Sequence, residues 1–485
     1  MTSHSEFQVH FVHEGRPHEV ILRSGDVASP GPAVVTVAGV AYEFLAGSNP
    51  PAIAREIFES FSKEMVASDR ELATRVAAYK GLRGVSIISK TTDVVTEPIF
   101  NRKVIKTDEA VVLEKAAYEK LNACPATDGE QIAKIVQEAN CSVSTLFEIA
   151  ERVEKEGKVE LANAIRTAAR PFDVTRIVEG TAKQILENYV LIDKGERGAA
   201  YIQERLRSGA YQKLFDKEEF AAALTHDLRL STGDKHFDVF LGSVEDPKAL
   251  SAEELEKENV SIAEDLRKRN FGFAEVSMDG AGTVYVDLET FLNPGALLRG
   301  EKVILQNTRR IMDGLAKLKP KAVVFGLQNN GGGNPEMVRL LCSYFLEPGV
   351  RLNTLEWRHK PTQIFNSLSY EDLPKEVRMA TVPLIVLTGK KTFSAAEEFA
   401  NNLKVLRRAT IVGETTAGGA NPGDSFNLGD GLAAFIPTGR AVNPHTRSNW
   451  EGIGVVPDYA IAPGEDALKR AKLILAEQQK AVAAL

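Results

Sequence analysis

Two short runs in which every residue is apolar, Ala322-Val323-Val324-Phe325 and Leu384-Ile385-Val386-Leu387, limit what this chain can fold into. A strand with no polar residue on either side must be covered on both, the pattern of parallel sheets flanked by helices. Each run sits in a strand-helix-strand series. Val284-Tyr285-Val286-Asp287-Leu288 alternates, and a stripe at Ile304, Thr308, Ile311, Leu315 and Leu318 predicts a helix before the first run. After the second run come a loop, a helix expected from about Ala395 to Val405 and the strand Thr410-Ile411-Val412. Two such units argue for a parallel or mixed sheet whose functional loops lie at the carboxyl ends of strands.

The residues ahead of this α/β region are patterned differently. From Phe7 to Gly47 the chain alternates and breaks like sheet, and after Pro50-Pro51 the residues Ile53, Ile57, Phe61 and Met65 put one apolar stripe on a helix. Helical patterning continues between Ala110 and Ala169, through Leu146, Ile149, Ala150 and Val153. Arg170-Pro171-Phe172-Asp173 reads as a boundary: proline stops one helix and Asp173 caps the next, whose apolar face is Ile177, Thr181, Ile185 and Tyr189. Helical stretches at Tyr201–Leu206 and Lys217–Leu228 end at Gly233, and an extended run from Phe237 to Leu241 follows. Pro247–Lys268 is polar and acidic, a linker or an exposed helix. With 485 residues to divide, the expected organisation is an α+β domain over 1–170, a helical domain over 171–245 and an α/β core over 246–485.

Charge and cysteine content exclude several functions. The formal charge is 59 − 66 = −7 with no long Lys/Arg run, which argues against nucleic acid or an acidic membrane surface as the main partner. Cys124, Cys141 and Cys342 are far apart, without the spacing of a zinc site or a disulfide framework. No stretch approaches the roughly 18 apolar residues of a membrane span, and Met1-Thr2-Ser3-His4-Ser5-Glu6 opens no secretory signal. The expectation is a soluble, cytoplasmic protein, with export by a signal-independent route and assembly into a homo-oligomer both left open.

Two loops at strand ends carry candidate chemistry. In Asn329-Asn330-Gly331-Gly332-Gly333-Asn334-Pro335 three adjacent glycines let backbone N–H groups turn inward toward an anion, or else form a flexible turn; the spacing fits neither a phosphate loop nor a dinucleotide fingerprint. In Thr388-Gly389-Lys390-Lys391-Thr392-Phe393-Ser394-Ala395-Ala396-Glu397, Ser394 stands where a helix begins, so the helix dipole and the Ala395 N–H favour negative charge beside its hydroxyl. Ser394-x-x-Glu397 is equally a capping box, in which the serine only ends a helix. A serine nucleophile needs a base, and of eight histidines His236 stands out, because it follows the Gly233 break and precedes a strand. Glu451 in Trp450-Glu451-Gly452-Ile453-Gly454 can orient a histidine, bind a substrate amine or lie on a turn.

Taken in order, these pieces resemble the carboxyl-terminal processing (tail-specific) serine peptidase family, in the branch that includes bacterial relatives of interphotoreceptor retinoid-binding protein. The resemblance runs from about Asp173 to Leu485. It rests on Glu187-Asn188-Tyr189-Val190, Leu206-x-Ser208-Gly209-Ala210-Tyr211, Gly233-Asp234-Lys235-His236, Asn330-Gly331-Gly332-Gly333, Thr392-Phe393-Ser394-Ala395-Ala396-Glu397-Glu398-Phe399, Gly413-Glu414-Thr415-Thr416-Ala417-Gly418-Gly419-Ala420 and Gly454-Val455-Val456-Pro457-Asp458. It implies a crotonase/Clp-protease-like core with Ser394 as nucleophile. Many tail-specific relatives place a lysine base in the loop that here reads Ala417-Gly418-Gly419-Ala420-Asn421-Pro422, which has none. The tricorn-like branch uses a histidine instead; His236 matches it, and Glu451 resembles its acidic partner. By the same analogy the oxyanion hole is the N–H of Gly331 or Gly332 with that of Ala395.

The function expected is therefore a serine peptidase acting on peptides or protein carboxyl tails. Ser394 attacks, His236 carries the proton, Glu451 or Asp234 orients the histidine, and no metal or organic cofactor takes part. The family pattern Asp-Leu-Arg-x-Asn-Gly-Gly reads Gly326-Leu327-Gln328-Asn329-Asn330-Gly331-Gly332 here, so the loop is held differently or activity is relaxed. Gly326 and Gln328 favour one rival, an inactive binding protein on the same scaffold holding a peptide or apolar ligand. A second rival makes residues 1–170 the functional module, as an adaptor.

Overall fold

The computed structural model describes residues 4–13, 16–24, 34–37, 40–44, 82–92, 101–106, 108–244, 264, 266–292, 300–462 and 464–483. The chain divides into two compact units, one of residues 1–178 with 204–223, the other of 179–203 with 224–485.

In the first unit β1 (His4–His13), β2 (Arg16–Ser24), β3 (Val34–Val37) and β4 (Val40–Phe44) follow the alternation expected after Phe7. β5 (Leu82–Thr92) and β6 (Asn101–Lys106), which local pattern did not reveal, complete one sheet in the order β3-β4-β2-β1-β5-β6. β5 pairs antiparallel with β1, Val9 opposite Ile87, a long-range pairing with no local signature. The helix expected at Ile53–Met65 lies outside the described residues. Helices α1 (Asp108–Asn122), α2 (Gly129–Glu138), α3 (Val143–Lys155) and α4 (Val159–Ala169) then pack Leu146, Ile149, Ala150 and Val153 against Leu161, Ile165 and Phe215.

Helices α5 (Val174–Asn188), α6 (Ile192–Arg207) and α7 (Lys217–Thr232) each contribute residues to both units. Asp173 caps α5 as expected, its Oδ1 accepting the Arg176 N–H at 3.0 Å, and the stripe Ile177, Thr181, Ile185 and Tyr189 is fully buried. α7 ends at Gly233, whose φ of +73° a residue with a side chain would adopt only under strain. β7 (Asp238–Leu241) follows. Most of Pro247–Lys268 lies outside the described residues.

The core of the second unit is the mixed α/β sheet the two apolar runs require. Its elements are β8 (Phe273–Met278), β9 (Thr283–Leu288), α8 (Gly300–Lys317), β10 (Ala322–Gly326), α9 (Pro335–Ser343), β11 (Arg351–Trp357), β12 (Gln363–Asn366), β13 (Leu384–Thr388), α10 (Ala395–Val405), β14 (Thr410–Gly413), β15 (Asp424–Gly429), β16 (Leu432–Ile436), β17 (Gly439–Val442), β18 (Tyr459–Ala460) and α11 (Ala467–Ala483). The central sheet runs β18-β14-β13-β10-β9-β8, all parallel except β8. Alternate residues of the apolar runs go to opposite sides. Val323, Phe325, Leu384 and Val386 join the cluster with α8, α9 and α10, whereas Ala322, Val324, Ile385 and Leu387 meet Ala471, Ile474 and Leu475 of α11. The buried face of α8 is Ile304, Thr308, Met312 and Leu315; Leu318, expected on that stripe, lies beyond the helix end and is exposed. Two small sheets, β12-β11-β17 and β15-β16-β7, complete the unit. Among the described residues no helix is long and apolar enough to cross a membrane.

Candidate active site

Parallel pairing of β10 with β13 puts the two loops after them side by side. Thr392 ties them together: its hydroxyl donates to the Leu327 carbonyl at 2.7 Å and accepts the Gly389 N–H at 2.9 Å. The Phe393 N–H donates to the Asn330 carbonyl at 3.0 Å. Asn330, fully buried, holds the glycine loop from within, its Nδ2 donating to the Leu288 carbonyl at 2.7 Å and its Oδ1 accepting the Gly332 N–H at 2.8 Å. The loop is thus braced without the charge pair of the family pattern. Gly326 makes room for Tyr285 of the neighbouring strand, whose hydroxyl would lie 2.5 Å from a Cβ there.

Ser394 begins α10 at φ +54°, ψ −122°, a strained backbone for a residue with a side chain. Gly332, at φ +101°, closes on it: a Cβ there would come 2.7 Å from Ser394 Cβ and 2.8 Å from the Ala395 nitrogen. Of the oxyanion donors expected, the Gly332 N–H is committed to Asn330, whereas the Gly331 N–H meets no acceptor among the described residues.

The expected capping pair is present in its carboxylate half, since Glu397 Oε2 accepts the Ser394 N–H at 3.0 Å. Glu397 does more than cap. Its fully buried carboxylate also accepts the Thr416 hydroxyl and the N–H groups of Gly418 and Gly419, so one side chain joins the Ser394 turn to the loop after β14. Burial pushes its pKa up, against the pull of those donors. Sequence reasoning assigned Glu397 only the local role, because the partners in residues 416–419 are distant in the chain.

His236 stands on the turn between α7 and β7. Its own N–H donates to Asp234 Oδ1 at 3.0 Å, and Asp234 Oδ2 accepts Tyr189 Oη at 3.1 Å and Asn421 Nδ2 at 2.8 Å. Glu451 enters from the turn after Trp450; its Oε2 accepts the Ala420 N–H at 2.6 Å, and its buried Oε1 has no partner. Asp234, His236 and Glu451 bring one side-chain N or O atom each to within 4.8 Å of one another. His236 Nδ1 lies 3.9 Å from Asp234 Oδ1, and neither ring nitrogen makes a hydrogen bond, to Ser394 or to any other described residue. The ring stacks on Phe393, centroids 4.4 Å apart, and Gly419 completes this layer: a Cβ there would lie 2.1 Å from the Phe393 ring and 2.7 Å from His236 Cε1.

These environments set the charges. Burial, with the charge of Arg229, pushes His236 down to about 3 and keeps it neutral. Burial and the neighbouring Asp234 push Glu451 up to about 8, and burial raises Asp234 as well. The three side chains are also the metal-ligand cluster among the described residues. The 3.9 Å between His236 Nδ1 and Asp234 Oδ1 exceeds the about 3.3 Å between ligands of a tetrahedral zinc ion, and Asp234 is already committed to three donors, so the group suits proton transfer better. Beside Ser394 a cavity of about 40 Å³ opens between Pro335, Leu355, Ala420, Ala441 and Trp450.

Comparison with known proteins gives these residues a context. Residues 282–461 match the model of peptidase family S41, and residues 159–270 match the N-terminal domain of peptidase S41 in eukaryotic IRBP. The chain is 29% identical over 191 residues to carboxyl-terminal-processing peptidase 1, chloroplastic, of Arabidopsis thaliana, covering 39% of this chain and 36% of that protein. It is 29% identical over 141 residues to carboxyl-terminal-processing peptidase 2, chloroplastic, of the same plant, covering 29% of this chain and 26% of that one. The matches thus span about a quarter to a third of these relatives' length. A putative peptidase from Parabacteroides merdae is similar in structure, with TM-score 0.43 and 18% identity over 63% of this chain and 96% of the other.

Proposed function

Because this chain belongs to peptidase family S41, we propose that it is a serine peptidase that cuts peptides or protein carboxyl tails through an acyl-enzyme. The observation that carries this reading is the presence, in one unit, of a strained serine at a helix N-terminus and a buried neutral histidine backed by two carboxyl groups. Ser394 Oγ attacks the carbonyl carbon while His236 accepts its proton, and the carbonyl oxygen takes up negative charge beside the N–H groups of Gly331 and Ala395. Collapse of the tetrahedral intermediate expels the amine, which His236 protonates, and water then repeats the sequence on the ester. Burial makes an imidazolium costly unless Asp234 or Glu451 is ionised beside it, and this is the work of the carboxyl pair. The His236 ring nitrogens are unpaired here, and catalytic hydrogen bonds commonly tighten only in the complex.

A fluorophosphonate probe tests this directly. Wild type is labelled at Ser394, and Ser394→Ala and His236→Ala are not; absence of both labelling and peptide cleavage in wild type would sink the reading. A second reading, a binding protein on the same scaffold, is favoured by the stacking of Phe393 on His236 and by the unpaired ring nitrogens. Equal retention of peptide or apolar ligand by wild type and Ser394→Ala, without turnover, is its signature.

A further inference from the structure

The cavity beside Ser394 is lined mainly by apolar residues but has one acidic side chain in its lining. α10 supplies it: Glu398 lies four residues after Ser394, on the same helix face, its N–H donating to the Ser394 carbonyl at 2.9 Å and its side chain lining the cavity. Behind it are Asn353 of β11 and Asn402 of α10, both fully buried, and neither Nδ2 nor Oδ1 of either amide makes a hydrogen bond. Both amides act on the Glu398 carboxyl, pulling its pKa down against a burial that lifts it to about 7, and Glu336 adds like charge. Two buried amides with bonds unmade beside a buried carboxyl cost stability that an apolar lining would keep. Neither capping α10 nor the steps assigned to Ser394 and His236 uses them.

We propose that Glu398, backed by Asn353 and Asn402, is a specificity-determining residue, and that the cavity selects a small side chain bearing a hydrogen-bond donor, serine or threonine. This rests on the peptidase reading for its position: Ser394 and Ala395 line the same cavity, so the side chain next to a carbonyl held between them is the one that enters. A cavity this small, about 40 Å³, favours a short side chain over lysine, arginine or an aromatic ring. Threonine and valine have nearly the same shape, so the hydroxyl alone separates them, and a carboxylate accepts from it.

The test uses two peptides identical except for Thr or Val at the residue on the acyl side of the cut. kcat/KM is measured with wild type, Glu398→Gln and Glu398→Leu, Kd with Ser394→Ala, and Ser394 labelling by the phosphonate runs alongside. Wild type favours Thr by about tenfold or more, Glu398→Leu reverses the order, and Glu398→Gln, which keeps an acceptor, falls between. Equal rates for the two peptides in labelled wild type, a preference for Val, or a Thr preference unchanged in Glu398→Leu overturns the assignment while leaving the peptidase reading intact. If Glu398→Leu does not fold, Glu398→Gln decides: an unchanged ratio overturns it. If wild type is neither labelled nor active, the peptidase reading falls, and the Kd ratio judges the cavity: Thr-selective binding upholds it and equal binding overturns it.

Discussion

Gly332 has its backbone where any side chain would strike Ser394, and it sits at φ +101°. Gly332→Ala is therefore expected to lower kcat/KM by about 100-fold or more while the fold persists, since removing oxyanion-hole geometry has effects of that order. Thermal melting and phosphonate labelling check this together; near-normal labelling would show that the approach is not needed. Glu451 makes a different claim. Its pKa is raised in the folded chain, so it contributes stability that is fully present below the ordinary glutamate range and is lost as pH rises through about 8. His236 is shifted down and acts with the opposite sign, costing stability as pH falls below 6.5. Comparing Tm of wild type and Glu451→Gln from pH 5 to 8.5 cancels the histidine: the wild type should lose ground to the variant with rising pH, and parallel curves would refute the shift. Because the imidazolium needs an ionised carboxyl neighbour, kcat/KM should climb toward pH 8 in wild type and lose that limb in Glu451→Gln.

At the scale of elements, the turn into α10 stores strain that a rigid sheet and a buried carboxylate hold in place. Ser394 at φ +54° carries about 1–3 kcal/mol of strain, which glycine relieves and alanine does not. Ser394→Gly should thus be more stable than Ser394→Ala by about 1 kcal/mol, the release exceeding the entropy glycine adds to the unfolded chain, with both inactive. Denaturant melts decide it, and an alanine variant as stable as the glycine one would remove the strain from the account. The same turn shows how far sequence carries. The strand, loop and helix around Ser394 were legible from an apolar run, from Thr392-Phe393-Ser394 and from the capping spacing. The three donors that residues 416–419 give Glu397 and the packing of Phe393 on His236 were not, because they join segments far apart in the chain.

On the scale of the whole molecule, each unit has its own core. Phe215 is buried among the helices of the first unit, its ring 5.0 Å from that of Phe147, and Arg170 donates to the carbonyls of Gln212 and Leu214 in the same segment. Phe215→Ala should cost about 3–5 kcal/mol of that unit's stability by leaving a cavity. A lower first transition in calorimetry with an unchanged rate of Ser394 labelling at 25 °C is the expected result; labelling slowed tenfold would show that the site depends on that core.

By itself the sequence determined the class of sheet, since runs apolar on both sides can only be buried on both faces, and it singled out Ser394, His236, Asp234 and Glu451 as candidates. Only the tertiary structure decided which of them meet. It stacked Phe393 on His236, gathered two carboxyl groups around a neutral imidazole, and set Glu398 in the lining of a cavity beside Ser394. The physical reason is range: periodicity and caps act over a few residues and leave a trace in local pattern. Desolvation, ring packing and cavity shape arise from groups as far apart as Asp234 and Glu451, which no local pattern records.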